Sequence, residues 1–138
     1  MKGLGPFLAR GRQAHEDLMT EQVRLYRQGE DVFDRATGQT VPGPQTDLCE
    51  PGPARVKPVA QATGTEEQAG EREVSLRDYE IALPWATPLP PGTRVVPGDR
   101  VEVLASDDAR MVGLVLYVTG AQYGGTATAW RITAEDRT

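Results

Sequence analysis

Val95-Val96-Pro97-Gly98-Asp99-Arg100-Val101-Glu102-Val103-Leu104, then Met111-Val112-Gly113-Leu114-Val115-Leu116-Tyr117-Val118, then Thr126-Ala127-Thr128-Ala129-Trp130-Arg131-Ile132 occupy the last third of the chain. Each run is rich in β-branched and aromatic side chains, and turn residues separate them, so the three predict strands of a small antiparallel sheet. Pro97-Gly98-Asp99 marks a strand start. Proline pre-sets φ at one turn position and glycine accepts the positive φ that other residues resist.

Upstream, Glu21 to Arg27 alternates Val23 and Leu25 with Gln22, Arg24 and Tyr26, again a strand pattern, and Asp34-Arg35-Ala36-Thr37-Gly38 reads as a turn between paired strands. Gly43-Pro44 and Pro51-Gly52-Pro53 hold the chain extended and interrupt pairing, which leaves Ala54 to Val59 as a short strand at best. Val74 and Leu76 alternate on one parity, whereas Tyr79, Ile81 and Leu83 alternate on the other. A bulge near Arg77-Asp78 reconciles the two registers, and a long strand bent in this way is what a closed barrel needs to turn its corner. Pro84, Pro88, Pro90 and Pro91 end that strand, with Trp85 at its exit.

Residues 6–19 predict a helix, with proline in its first turn and Phe7, Gly11, Ala14 and Leu18 on one face, widened by Leu8 and Met19. Arg10, Gln13, Glu16, Asp17 and His15 fall on the polar side. An amphipathic helix must lay its stripe on something, here either its own barrel or a neighbouring subunit. Gly11 weakens the isolated helix by about 1 kcal/mol relative to alanine, so packing has to order it. Residues 60–72 carry no large apolar side chain and a local acidic excess, and cannot bury enough surface to order themselves. Such a stretch is either a functional arm or a disordered loop.

The expected fold is therefore mainly β. It is a small antiparallel β-barrel made of residues 21–59 and 73–133, with an N-terminal α-helix and a long flexible inter-strand loop, all in one domain spanning residues 1–138. The composition agrees: 38% apolar residues, with Gly 15 and Pro 11, support one small core and many turns. No run approaches the roughly 20 apolar residues of a membrane span, and the N-terminus lacks the apolar segment of a signal peptide, so a soluble, unsecreted chain is expected.

The sequence offers little chemistry. Cys49 is the only cysteine, which removes a disulfide framework and a multi-cysteine metal site, and His15, the only histidine, lies on the polar flank of the expected helix and is not assigned as a catalytic base. Phosphate-loop, zinc-protease and nucleophile-elbow motifs are all missing. The acidic pairs Asp107-Asp108 and Glu66-Glu67 read as solvated turn charge, and Gly124-Gly125 as a hairpin turn. No catalytic, cofactor-binding or metal-binding residue is assigned, and an enzyme is not expected. Tyr117, Tyr123 and Trp130 raise the possibility of a single-stranded nucleic-acid-binding barrel with a stacking platform. A formal net charge of −5 and a pI near 4.9 weigh against it, because such platforms sit in basic grooves. Core or interface aromatics are the other reading.

The order of parts resembles a known family. The N-terminal helix is followed by Val-Arg-Leu-Tyr-Arg (Val23 to Arg27) and Asp-Arg-Ala-Thr-Gly (Asp34 to Gly38). Ala-Arg-Val (Ala54 to Val56), Tyr-Glu-Ile-Ala-Leu-Pro (Tyr79 to Pro84) and Pro-Gly-Asp-Arg-Val (Pro97 to Val101) complete the set. In this order they look like the small head-closure, or stopper, proteins of tailed bacteriophages, especially those infecting actinobacteria. The resemblance implies a structural protein of the virion neck, assembled in the host cytoplasm into a ring of about six or twelve copies by a closing head-to-tail contact. Its implied partners are further copies of itself, the portal or head-tail adaptor, and the tail terminator or tail tube. Packaged double-stranded DNA would pass through the ring without specific binding, retained in the head by it. A tail terminator or another neck ring is the neighbouring alternative. The resemblance further implies a gate or adaptor-contact role for the loop residues Ala60, Gly64, Glu66, Glu67, Gly70 and Arg72. Phe7, Leu8, Ala14 and Leu18 are the candidates for an assembly helix.

Overall fold

The computed structural model describes residues 4–59 and 77–137. The candidate loop residues Ala60, Gly64, Glu66, Glu67, Gly70 and Arg72 lie outside the described residues, as do Val74 and Leu76. One helix, α1 (Leu4–Glu16), precedes nine strands: β1 (Glu21–Gln28), β2 (Val32–Asp34), β3 (Gln39–Val41), β4 (Gln45–Asp47), β5 (Gly52–Pro58), β6 (Asp78–Leu83), β7 (Arg100–Ala105), β8 (Val115–Ala121) and β9 (Trp130–Asp136). Among the described residues no helix is long and apolar enough to cross a membrane.

Six of these strands close a barrel in the order β1-β5-β6-β9-β8-β7, and β7 returns to pair with β1. Every pairing is antiparallel. Strand β1 is the joint. One of its edges carries β7 from Gln22 to Tyr26, while the other carries β5 at Glu21 to Val23 and the extra strand β4 at Tyr26 to Gln28. Closure abolishes the exposed edges that an open sheet of this size would present.

Alternation fills the interior. Val23, Leu25, Ala54, Val56, Ile81, Leu83, Val101, Val103, Leu116, Val118, Ile132 and Ala134 point inward from six strands and are buried together, with Trp130, Leu48 and Val95 at the ends. The barrel is a packed core with no lumen.

The turn at Pro97-Gly98-Asp99 forms as the sequence predicts: Gly98 takes φ 98 and the Asp99 amide donates to the Val96 carbonyl at 3.1 Å. The hairpin turn at Asp34 to Gly38 also forms. Gly38 takes φ 72, its amide donates to the Asp34 carbonyl at 2.8 Å, and the Asp34 side chain accepts from the Ala36 amide at 2.9 Å.

Several boundaries differ. The helix stops at Glu16, short of Met19, which tucks under the body with Ala82 and Ala129. The last strand begins at Trp130, because Thr126 to Ala129 belong to the connection after β8. Prolines notwithstanding, β5 is a full barrel strand: Ala54 and Val56 face inward, Pro53 faces outward, and Pro58 is exposed at the strand's end. Strand β6 pairs with β9 in unbroken register from Asp78 to Leu83, and the bulge expected near Arg77-Asp78, which would join it to Val74 and Leu76, falls at the edge of the described residues. Register breaks are seen in two other strands. β1 pairs Gln22 with Ala105 and Val23 with Val103, skipping Leu104, and β8 skips Thr119 between Val118 and Gly120. Bulges there increase the local twist where strands curve to close.

Candidate functional site

With core side chains filling the barrel interior, the described outer surface is where side chains are open to contact. Among the described residues no group of three or more His, Cys, Asp or Glu converges as a metal ligand set. Most outer basic side chains are matched locally. Arg24 donates to Asp47 at 2.7 Å and Gln45 at 2.8 Å and lies 4.2 Å from the Tyr26 ring centre. Lys57 and Arg131 flank Glu80 at 3.8 and 3.7 Å. Cations that already hold carboxylates are less free to displace the counterions of a phosphate backbone.

The aromatic trio does not form a stacking platform. Arg100 and Arg137 lie 4.8 and 4.4 Å from the centre of the Tyr117 ring. Trp130 is buried at a barrel end, tilted 31° from Tyr123 with centroids 5.8 Å apart. The Tyr123 hydroxyl accepts from the Val95 amide at 3.1 Å. These rings are structural, and the Trp130 indole N–H is a buried donor with no partner. Around Trp130 lies an apolar cavity of about 290 Å³, also lined by Trp85, Leu89 and Tyr123. A second groove of about 460 Å³ runs between Leu48, Cys49, Leu83 and Pro88. Cys49 is half-buried there, and burial, with a smaller contribution from Asp47, pushes its thiol above the ordinary range, so it is a poor nucleophile.

Helix α1 is held from one side. Its half-buried positions are Leu8, Gly11, Arg12 and His15, a single stripe at helical spacing. Arg12 is the clamp: Nε donates to the Ala127 carbonyl at 3.0 Å, Nη2 donates to the Gly125 carbonyl at 2.9 Å, and the guanidinium lies 3.5 Å from the Trp85 ring centre. Trp85 in turn donates its indole N–H to the Gly124 carbonyl at 2.8 Å. Gly11 provides the close approach, since a Cβ there would come within 2.9 Å of the Thr128 methyl. His15, expected on the polar flank, is on this half-buried stripe instead.

The apolar face proposed for assembly is thus split. Leu8 turns partly toward the body, whereas Phe7 is 66% exposed, Leu18 54% exposed, and Ala14 exposed as well. Arg10 stands among them, exposed.

A second apolar surface was not anticipated from the sequence. The β2–β3 hairpin forms its own two-stranded sheet outside the barrel. Val32 and Val41 face each other on one side and Phe33 opposes Thr40 on the other. All three large side chains are exposed, Phe33 by 60%. The available signal was the Val32-Phe33 dipeptide between turn residues, too short to show a period.

No curated protein matches the sequence. The solution structure of protein SF1141 from Shigella flexneri 2a shares the fold, with a TM-score of 0.54 over 87% of this chain and 94% of that one at 15% identity. At that identity the likeness concerns architecture alone. A family model described as a family of unknown function, DUF6093, matches residues 11–135, from the docking glycine of α1 to the end of β9, and the chain belongs to that family.

Proposed function

We propose that this protein is a structural component of the neck of a tailed bacteriophage, a head-closure or stopper subunit that joins further copies in a ring beneath the portal and adaptor. The observation that carries the reading is the pairing of a small, completely filled closed barrel with two exposed apolar surfaces on elements that stand outside it. Exposed apolar patches of this kind mark protein interfaces.

The stretches that resemble stopper proteins also fall at the joints of the fold. Val23 to Arg27 is the strand that touches three others, Asp34 to Gly38 turns the exposed hairpin, and Pro97 to Val101 leads into the strand that closes the barrel. The acidic balance of the chain suits a collar that DNA passes without adhering, since like charges repel at close range. Neither a reaction nor a cofactor is part of this proposal.

The test is deletion of the gene from its phage or prophage, with electron microscopy of the lysate and complementation by the intact gene. Free tails beside tailless heads that have lost their DNA are expected. Normal infectious particles would overturn the neck reading.

A further inference from the structure

We infer that copies of this chain join head to tail, with the exposed face of α1 on one copy seated against the β2–β3 hairpin of the next. The inference deepens the ring reading and rests on it, naming the contact that such a ring would use.

The first argument is that the hairpin lacks cover. A two-stranded ribbon is marginal in water without a packed face, yet here Val32 and Val41 on one side and Phe33 on the other are all exposed. The second is that the exposed side of α1 carries Phe7 and Ala14 at helical spacing, with Leu18 exposed in the turn just after the helix, an apolar ridge of matching kind, while Arg12 and Gly11 hold the opposite side to the body.

Charge then selects the pairing. Arg10 lies on the exposed ridge between Phe7 and Ala14, and the first turn of α1 carries no acidic residue. Glu30 and Asp31 immediately precede Val32-Phe33 and are exposed. Among the described residues Arg10, Glu30 and Asp31 form no ion pair within the chain. A basic apolar ridge and an acidic apolar ribbon complement each other, whereas ridge on ridge or ribbon on ribbon would set like charges together. Two different surfaces meeting in this way make a heterologous contact, the kind that closes into a ring.

Sedimentation velocity on the purified full chain tests it. The wild type should associate as concentration rises. Phe7→Asp with Leu18→Asp spoils the helix ridge, and Phe33→Asp with Val41→Asp spoils the ribbon. All four side chains are exposed, so each double variant should keep the wild-type circular dichroism and sediment as a monomer. Mixed in equal amounts, the two should form a dimer and nothing larger, because one intact ridge and one intact ribbon remain between them. Arg10→Glu should weaken association by about tenfold, with recovery when it is mixed with Glu30→Lys/Asp31→Lys. A wild type that stays monomeric at about 1 mM overturns the contact, as does a ridge variant that associates normally or a mixture that yields no dimer. Ribbon-dependent association that ignores the ridge would hand the hairpin to another partner and overturn it equally. These outcomes are read on purified protein, so they are separable from the lysate experiment that tests the neck reading.

Discussion

Asp99 is the buried charge among the described residues, 2% exposed, and its two oxygens are taken up by Arg27 at 2.8 and 3.0 Å, with the Val96 amide adding a third bond at 2.8 Å. Arg27 also donates to the Arg94 carbonyl at 2.9 Å, so one side chain of β1 fixes the turn into β7. The pair is asymmetric, since the Arg27 side chain is 42% exposed. Removing the cation leaves a buried carboxylate with only the Val96 amide to hold it, while removing the anion leaves a guanidinium that water can reach. Arg27→Met should therefore cost about 4 kcal/mol and Asp99→Asn about 2 kcal/mol in urea unfolding. Equal costs would refute the asymmetry. Trp130 supplies the opposite case: its orphan N–H contributes nothing to the core, so Trp130→Phe should change stability by no more than about 1 kcal/mol, less than a core aromatic with a satisfied donor would lose.

At the scale of elements, α1 depends on a polar residue for its docking. Arg12 presents a planar fork to two carbonyls and stacks on Trp85 at once, which a lysine cannot reproduce. Arg12→Ala and Arg12→Lys should both release the helix while the barrel stays folded. The measurement is hydrogen exchange: amides of residues 8–16 lose protection and those of β6 and β9 keep it. Retained helix protection in Arg12→Lys would show that charge alone suffices. This element also explains where sequence reading stops. Periodicity located the helix and its apolar side, but it reports which residues are apolar and not which of them are covered, so Phe7 and Leu18 fell on the open side. Strand β1 was legible because Val23 and Leu25 face the core while Gln22 and Arg24 face outward, and β6 because Tyr79, Ile81 and Leu83 alternate, although Ala82 on its other face is covered as well. Strand β5 was obscured by Pro53 and Pro58, which are tolerated because Pro53 faces outward near one end and Pro58 is the exposed last residue at the other. The end of β9, Glu135-Asp136, hid its strand character behind charged side chains.

At the scale of the molecule, barrel closure joins strands far apart in sequence, and no local pattern announces that β7 returns to β1 rather than ending an open sheet. What could be read was the supply of inward-facing residues; which edges meet was decided by the closed shape. Closure also divides the molecule into a part that must fold together and a part that need not. The hairpin belongs to the second part. Gln28 of β1 pairs with Gln45 of β4, and the Gly29 amide donates to the Pro44 carbonyl at 2.7 Å, so the excursion between them leaves and returns at facing residues. Gly43 packs against the Gly29–Glu30 backbone inside that excursion, where a Cβ would come within 2.7 Å of the Gly29 carbonyl carbon. Replacing residues 30–43 by Asn-Gly joins Gly29 to Pro44 through a two-residue turn of the right hand for a tight hairpin. The barrel core, which draws on no residue of the removed stretch, should then unfold in a single transition with Tm within about 5 °C of wild type. The same protein should have lost concentration-dependent association, because the ribbon that meets α1 of the next copy is gone. A collapse of Tm would make the hairpin part of the folding unit, and association that persists would place the contact between copies elsewhere on the barrel.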